Sequence, residues 1–376
     1  MNIVFLCNEL PPSKTGGIGV FVSELARRLV SRGHNVFVIG FLDSVEVKET
    51  NIVDGVCVIK IPAKKGVLGL IFNRYYLYKE VSAICSKENI DIIEFPDFEG
   101  MSAFIPKGKH KVIIRLHGSH TYFASEMRNK PSFLIKALEK KALNKADAIV
   151  SVSRYAADKT NKIFEIDRDI EVIYNGIDLP KINRCKKSWK NGSKVVFTGS
   201  LMKKKGVFSL AKAWPIVKKT IPDAQLIMVG KDTIADGQSA KSKIQKLTED
   251  KCVTFLGHLP KNEMESVISQ CDVAIYPSYS ETFGLAPIEA MALRVPTIYT
   301  KLSCGPEVVK IQNLIDICVN PDDPEDIANK IVKLLRSEDL RFDIAVSGRL
   351  LVEKNYSNDS AVLKNEEFYK KVIENA

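Results

Sequence analysis

Short apolar runs alternate with amphipathic stretches along the first half of the chain. An apolar run at residues 3–6 precedes a helical pattern at about 19–31, and a second apolar run follows at 36–39. Parallel strands joined by covering helices produce this alternation of short apolar runs and 3.6-residue periodicity. The first half is therefore predicted to be a doubly wound α/β domain with a parallel sheet.

The second half repeats this alternation. Apolar runs lie at residues 195–198, 225–229, 253–255 and 273–276, and helical patterns lie at 207–219 and 262–269. The length of 376 residues also exceeds what one hydrophobic core usually supports. Two α/β domains are predicted.

The boundary between the two domains is predicted from a polar, turn-rich stretch at residues 178–193, which we interpret as a hinge. The last segment, 357–376, has apolar side chains at helical spacing and predicts a terminal amphipathic helix. We therefore predict an N-terminal domain over 1–178, completed by 357–376, and a C-terminal domain over 179–356.

Composition narrows the class of protein. Hydrophobic residues at 45% and charged residues at 27% are typical of a soluble globular protein. The N-terminus lacks a basic leader and a cleavage site, and no stretch of eighteen apolar residues occurs, so we expect a cytoplasmic protein without a spanning helix. The eight cysteines are scattered without a Cys-x-x-Cys pair, which predicts reduced core residues rather than disulfides or zinc ligands.

The net charge of +10 is unevenly distributed. Residues 60–162 carry 19 basic and 10 acidic side chains, a surplus that favours anionic partners. Within it, residues 122–145 place six basic and two acidic side chains beside apolar ones: Phe123, Phe133, Leu134, Leu138 and Leu143. This pattern suggests that the N-terminal domain rests on an anionic membrane, or alternatively that these apolar residues face the core.

The densest chemical signal lies at residues 277–292, directly after the apolar run 273–276. Ligands of open α/β sheets gather where strands end and helices begin. Pro287 suits a first helical turn, so the amide groups of Gly284, Leu285 and Ala286 would form an anion site. Glu281 in the loop and Glu289 about one turn into the helix should then bind different hydroxyls of one ligand.

Two Glu residues separated by seven positions, with Phe283-Gly284-Leu285 between them, resemble the signature of glycosyltransferase family 4. The resemblance implies the GT-B architecture, with two Rossmann-like domains facing across a cleft. It also implies that Glu281 contacts the hydroxyls of the donor sugar and Glu289 the ribose. Backbone amides of Phe283–Leu285 would contact the sugar and the diphosphate.

The resemblance covers nearly the whole chain. Gly16 and Gly17 follow the first strand and open a helix, where glycine lets the backbone approach a phosphate. His117, at the end of another apolar run, resembles the active-site histidine of the family. Lys205 matches the lysine that binds the diphosphate, and Ser200 stands where most members carry Arg.

The resemblance implies a retaining glycosyltransferase. It would transfer a sugar from a nucleotide diphosphate donor to a glycan, a lipid-linked saccharide or another hydroxyl acceptor, in cell-surface polysaccharide or lipopolysaccharide biosynthesis. The predicted catalytic residues are His117, Glu281 and Lys205. The predicted donor-binding residues are Gly16, Gly17, Ser200, Lys205, Phe283, Gly284, Leu285 and Glu289.

No cofactor and no essential metal are expected. An Asp-x-Asp motif at a strand end is absent from the sequence, and Asp322-Asp323 is interpreted as the cap of a helix that starts near Pro324.

Three alternative functions have weaker support in the sequence. A sugar-nucleotide epimerase would share the architecture, but the paired Glu residues and Lys205 favour transfer. A dinucleotide-dependent oxidoreductase is disfavoured because the glycine spacing at residues 16–19 is not Gly-x-Gly-x-x-Gly. A non-enzymatic protein that binds nucleic acid or another anion is disfavoured because basic motifs interleaved with aromatic residues are missing from the sequence.

Overall fold

The computed structural model describes residues 1–9, 16–180, 193–249 and 252–375, apart from the side chains of residues 67 and 68. The chain divides into two compact units, Met1–Gly176 with Asn358–Ala376 and Ile177–Ser357. The predicted boundary stood between residues 178 and 179. Most of the predicted hinge, residues 181–192, lies outside the described residues.

The first unit is built on an eight-stranded sheet in the order β3-β4-β2-β1-β5-β6-β7-β8. Its strands are β1 (Asn2–Leu6), β2 (Asn35–Leu42), β3 (Glu49–Val53), β4 (Val56–Pro62), β5 (Ile92–Pro96), β6 (Lys111–Leu116), β7 (Ala148–Ser151) and β8 (Ile170–Val172). The predicted parallel sheet is confirmed except at one edge, where β3 pairs antiparallel with β4. The Asp54-Gly55 turn between them has positive φ at both residues, which suits a tight hairpin.

Helices cover both faces of this sheet. They are α1 (Gly17–Ser31), α2 (Gly66–Lys87), α3 (His120–Glu126), α4 (Phe133–Lys145) and α5 (Arg154–Phe164), with a 3-10 helix at Phe98–Phe104. On one face, Leu25 and Leu29 of α1 pack against β1 and β2. On the other face, Leu77 and Val81 of α2 pack in a separate core.

The second unit contains a five-stranded parallel sheet in the order β13-β10-β9-β14-β15, with a small β11-β12 hairpin. Its strands are β9 (Lys194–Thr198), β10 (Gln225–Val229), β11 (Ile234–Ala235), β12 (Gln238–Ser239), β13 (Val253–Gly257), β14 (Val273–Tyr276) and β15 (Thr297–Tyr299). The helices of this unit are α6 (Val207–Thr220), α7 (Ala240–Thr248), α8 (Lys261–Ser269), α9 (Leu285–Ala292), α10 (Gly305–Val308), α11 (Gln312–Ile315), α12 (Pro324–Arg336) and α13 (Glu338–Asn355).

The strand order of the second unit positions its functional loops. β9 lies between β10 and β14, so chain connections leave the middle of the sheet in both directions. Such a switch point opens a crevice at the carboxyl ends of neighbouring strands. The loop after β9 and the loop after β14 are therefore adjacent.

The last helix, α14 (Asn358–Glu374), returns the chain to the first unit. Its Val362, Phe368 and Tyr369 join the core formed by β1 and α1. The Tyr369 hydroxyl also donates to Glu94 Oε2 at 2.7 Å. Glu94 forms a buried ion pair with Arg115, in which Nε and Oε1 are 2.7 Å apart. Since a buried charge is stable only when paired and hydrogen-bonded, α14 completes the interior of this unit.

The sequence predicts reduced cysteines and no helix that spans a membrane. Among the described residues, seven cysteines form no disulfide; four of them are buried, at positions 7, 271, 304 and 318, and the other three are partly buried. Cys185 lies outside the described part of the chain. Within the described part of the chain, every helix is too short or too polar to cross a membrane.

Candidate active site

Lys205 and Glu281 face each other across the loops that follow β9 and β14. Lys205 Nζ and Glu281 Oε1 are 2.6 Å apart, and the two side chains keep 28% and 12% of their exposure. Ser278 Oγ donates to the same carboxylate oxygen at 2.9 Å. Lys205 therefore remains partly accessible, whereas Glu281 is largely buried and its carboxylate is held in place by the protein.

Backbone contacts lock the two loops together. The Tyr279 amide donates to the Lys204 carbonyl at 2.8 Å. Gly206 has a φ of 71°, and a Cβ at this position would lie 1.8 Å from the Pro277 carbonyl oxygen. Only glycine permits this approach without a shift of the backbone. Lys205 thus reaches Glu281 because the residue after it carries no side chain.

The backbone of Glu281 has a separate support. Its amide donates to Ser303 Oγ at 3.1 Å. Ser303 lies in the loop after β15 and has a φ of 49°, which is uncommon for a residue with a side chain. Three contacts from Lys205, Ser278 and Ser303 therefore fix both ends of Glu281.

The turn that begins α9 is held by side chains from β15 and its loop. Gly284 caps the helix with a φ of 83°, and a Cβ there would lie 2.2 Å from the Tyr299 hydroxyl oxygen. The Tyr299 hydroxyl donates to the Phe283 carbonyl at 3.2 Å, and the Cys304 thiol donates to the same oxygen at 3.4 Å. The Phe283 ring packs edge-on against Tyr356. The amides at the start of α9 are therefore rigidly oriented for an anion.

Glu289 is the fifth residue of α9 and is partly buried. Burial raises the pKa of its carboxyl group, and the charge of Glu265 adds to this effect, while the charge of Lys261 opposes it. A carboxyl group recessed in this way suits hydrogen bonds from the hydroxyls of a ligand.

His117 lies in the first unit, one residue after β6, on a loop held by a buried carboxylate. The amides of His117 and Gly118 donate to the two oxygens of Asp97 at 3.0 and 3.2 Å. Burial raises the pKa of Asp97 to about 8, and the nearby Glu139 carboxylate contributes to the rise. Asp97 was not predicted as functional, although an acidic residue directly after a buried strand was a signal for it.

The His117 imidazole is neutral at physiological pH. Burial, together with the charge of Arg115, lowers its pKa to about 3. Its ring packs edge-on against Phe21 of α1, with centroids 5.1 Å apart. A neutral ring can donate and accept hydrogen bonds but does not supply a positive charge.

The predicted phosphate site at Gly16 and Gly17 is close to a carboxylate of the chain itself. Gly16 is the N-cap of α1 and Gly17 is its first residue. Glu9 Oε2 lies 3.4 Å from the Gly19 amide and would lie 2.1 Å from a Cβ on Gly16. A phosphate approaching this helix would have to compete with Glu9.

The predicted site residues thus fall into two groups. The second unit contains Ser200, Lys205, Phe283, Gly284, Leu285, Glu281 and Glu289, and the first unit contains Gly16, Gly17 and His117. A direct contact joins Lys205 to Glu281. Ser200 is partly exposed and lies in the same loop as Lys205, two residues after β9. The supporting residues Ser303, Tyr299 and Cys304 were missed because they are brought in by the next strand.

The sequence predicts that the site needs no metal ion. Among the described residues, no group of three or more His, Cys, Asp or Glu side chains that could hold a metal ion occurs. Asp323 accepts hydrogen bonds from the amides of Glu325 and Asp326, which confirms it as the cap of the helix at Pro324. Independence from a metal stays a prediction.

Comparison with known proteins covers both units. The model named Glycosyltransferase Family 4 matches residues 15–181, and the model named Glycosyl transferases group 1 matches residues 181–351. N-acetyl-alpha-D-glucosaminyl L-malate synthase of Bacillus anthracis is 23% identical over 95% of this chain and 94% of its own.

Solved structures match over the full length. Sucrose-phosphate synthase from Thermosynechococcus elongatus superposes with a TM-score of 0.85 at 18% identity, covering all of both chains. The Anabaena protein HepE, solved in complex with UDP and glucose, superposes with a TM-score of 0.76 at 17% identity, covering 99% of this chain and all of its own.

Proposed function

Because this chain belongs to the family 4-like glycosyltransferases of the GT-B fold, we propose that it transfers a sugar from a nucleotide diphosphate donor with retention of anomeric configuration. The observation that carries the proposal is the Lys205–Glu281 pair beside the first amides of α9. One cation, one carboxylate and a row of N–H dipoles suit a diphosphate joined to a polyhydroxylated ring.

The leaving group determines what the protein must supply. Cleavage of the glycosyl-diphosphate bond builds negative charge on the departing diphosphate. Lys205 and the amides of Gly284, Leu285 and Ala286 are fixed before the reaction starts, so they can stabilise that charge without reorganisation. We propose that these groups serve where other enzymes use a divalent metal.

Glu281 is proposed to position the donor sugar rather than to attack it. Its Oε1 atom already accepts from Lys205 and Ser278, which makes that oxygen a weaker nucleophile. Its carboxylate can still accept hydrogen bonds from sugar hydroxyls, and its negative charge favours a cationic anomeric carbon. Attack from the leaving-group face is the corresponding route to retention.

His117 is proposed to bind a hydroxyl of the donor sugar. Its lowered pKa of about 3 makes proton donation from an imidazolium ion negligible near neutral pH. A neutral imidazole held by the Asp97 loop can orient a hydroxyl through one hydrogen bond.

For the acceptor, we propose a glycan or a lipid-linked saccharide in cell-surface polysaccharide or lipopolysaccharide synthesis, with the enzyme in the cytoplasm at the membrane surface. The basic surplus between residues 60 and 162 supports an anionic surface as partner. The apolar residues named for this contact need a correction, because Leu143 is buried in the core and Phe123 and Leu138 are only partly exposed. Phe133 and Leu134 are exposed as the proposal requires.

Donor binding and hydrolysis test this function. Purified protein is screened against uridine, guanosine and adenosine diphosphate sugars by thermal shift, and the shifting donors are then assayed for release of nucleoside diphosphate. We expect one donor class to raise the melting temperature and to be slowly hydrolysed. Conversion of a nucleotide sugar to its epimer without release of the diphosphate would contradict transfer.

A further inference from the structure

Exposed aromatic side chains are concentrated on one surface of the first unit. They lie on the outer side of α2, the 3-10 helix at Phe98–Phe104 and α4. Every exposed Phe or Tyr that the structure describes in this unit belongs to it. We call this set the aromatic surface: Ile71, Phe72, Tyr75, Tyr76, Tyr78, Phe98, Phe104, Phe133 and Leu134.

The three elements form one continuous layer. A guanidinium nitrogen of Arg74 on α2 donates to the Glu99 carbonyl of the 3-10 helix. Gly100 lies so close to α4 that a Cβ would be 2.4 Å from the Leu138 backbone. Lys141 of α4 places its Nζ 4.1 Å from the centroid of the Phe104 ring. The three elements that carry the aromatic surface are therefore packed against one another.

Helix α2 is apolar on both of its sides. Leu77, Val81 and Ile84 face the core, whereas Phe72 and Tyr75 on the outer side keep 48% and 54% of their exposure. A surface helix normally presents polar residues to water, so an apolar outer side indicates a binding surface.

Charge identifies the partner. Residues 66–79 include no acidic side chain, and Lys64, Lys65 and Lys79 are exposed beside the aromatic residues. Two copies packed through this surface would place like charges together. Tyrosine and lysine around an apolar centre instead match the boundary between lipid headgroups and acyl chains.

We propose that the aromatic surface docks the protein on an anionic lipid bilayer. Phe72, Ile71 and Phe133 enter the acyl boundary, and the tyrosine hydroxyls and the lysines contact headgroups and phosphates. The inference rests on the proposed work at a membrane surface and assigns the contact chiefly to α2 instead of residues 122–145.

Co-sedimentation of the full-length protein with vesicles tests the assignment. The vesicles are pure phosphatidylcholine or an equimolar mixture with phosphatidylglycerol, at low and high salt. We expect binding to the mixed vesicles at low salt. The F72S/Y75S double variant should bind at least about tenfold more weakly, because serine cannot bury the apolar area that Phe72 and Tyr75 would bury in the lipid.

Matched variants separate the possible outcomes. Ile52→Ser removes an even more exposed apolar side chain on β3, at 79% exposure, and should bind like wild type. Lys79→Glu should weaken binding only to the anionic vesicles. Equal vesicle binding by F72S/Y75S and wild type overturns the proposal, as does a wild-type dimer that this variant converts to monomer. Donor hydrolysis on the same samples, without vesicles, shows separately whether the proposed transferase function fails.

The geometry points to a second, independent inference: Ser303 is a positioning residue for Glu281. Its left-handed backbone conformation costs conformational free energy for a residue with a side chain. In this conformation the Ser303 hydroxyl accepts a hydrogen bond from the Glu281 amide. Because Ser278 and Lys205 hold only the carboxylate, Ser303 holds the backbone from which that carboxylate extends.

Two substitutions distinguish positioning from backbone strain. Ser303→Ala removes the hydroxyl and keeps the unfavourable φ, whereas Ser303→Gly removes the hydroxyl and relieves it. Both should lower kcat for donor hydrolysis by about tenfold, the upper range for one lost hydrogen bond, with a smaller change in KM. Ser303→Gly should keep the wild-type melting temperature.

The proposal is overturned if Ser303→Gly keeps the wild-type kcat, whatever Ser303→Ala does. It rests on the proposed role of Glu281, and the wild-type assay separates the two failures. An inactive wild type rejects the function, whereas an active wild type with equally active variants rejects only the positioning.

Discussion

We predict that Lys205 provides more of the leaving-group stabilisation than its counterpart in most family members, because the resemblance places Ser200 where most members carry Arg. A serine hydroxyl donates one neutral hydrogen bond, whereas Arg donates two charge-assisted ones. Lys205 also neutralises Glu281 at 2.6 Å. Its removal would therefore weaken the hold on the diphosphate and leave a carboxylate facing it.

We predict that Lys205→Ala lowers the catalytic rate by at least about 10²-fold, as removal of one oxyanion donor typically does. Lys203→Ala is the matched control, because Lys203 is exposed in the same turn. Lys204→Ala should also stay near wild type, since the backbone carbonyl that binds Tyr279 remains. Steady-state kinetics, with melting temperatures as the control for folding, measure these effects. A large loss of activity in Lys204→Ala would contradict the assignment of the diphosphate-binding role to Lys205.

Substitution of Glu281 and substitution of Glu289 should impair different steps. We predict that Glu289→Ala weakens nucleotide binding, whereas Glu281→Ala mainly lowers turnover, because Glu289 lies inside α9 and Glu281 sits beside Lys205. Isothermal titration with the free nucleoside diphosphate measures the difference. An equal loss of nucleotide affinity in both variants would contradict these separate roles.

The residues that could be predicted are those whose chemistry is local in sequence. Glu281, Gly284 and Glu289 lie in one strand-turn-helix segment, so their arrangement follows from strand and helix phase. Ser303 could not be found in this way, because it meets Glu281 only through the pairing of β14 with β15. Contacts between sequence-distant loops depend on strand order, which local pattern does not specify.

At the scale of elements, most predicted strands and helices are confirmed to within a few residues, as for the run at 225–229 that is β10. Helix α2 was not predicted, because its apolar residues cover both sides and hide the helical periodicity. The antiparallel β3 was also missed. Its side chains are all exposed, so it lacks the buried apolar pattern of the other strands.

Helix α14 should show an acid-dependent attachment to the first unit. Burial alone would raise the pKa of Glu366, but hydrogen bonds from Arg32 and His34 lower it from 4.5 to about 2. A carboxylate with a lowered folded-state pKa stabilises the protein above its ordinary pKa, and this contribution is lost as the pH falls toward the lower value.

We therefore predict that wild type loses more melting temperature than Glu366→Gln between pH 4.5 and pH 2. Glu367→Gln is the control, since Glu367 is the exposed neighbour on the same helix. Thermal melts across this pH range provide the measurement. Parallel pH profiles for wild type and Glu366→Gln would show that the ion pairs do not stabilise α14.

At the scale of the whole molecule, chain organisation follows from where each core can be completed. The chain leaves the first unit at Gly176 and returns at Asn358, so α14 supplies side chains that β1 and α1 leave uncovered. The second unit keeps the predicted donor-binding residues of the loops after β9 and β14 within one continuous segment. This division places the residues proposed to bind the diphosphate in the second unit, whereas His117, proposed to bind a hydroxyl of the donor sugar, belongs to the first.

Retention of configuration is the central claim and can be measured directly. A donor that passes the thermal-shift screen is incubated with the enzyme, and proton NMR follows the first sugar product before mutarotation. We expect the anomeric signal of the product to have the configuration of the donor, and Lys205→Ala to slow its appearance by at least about 10²-fold. Initial formation of the opposite anomer would contradict the account.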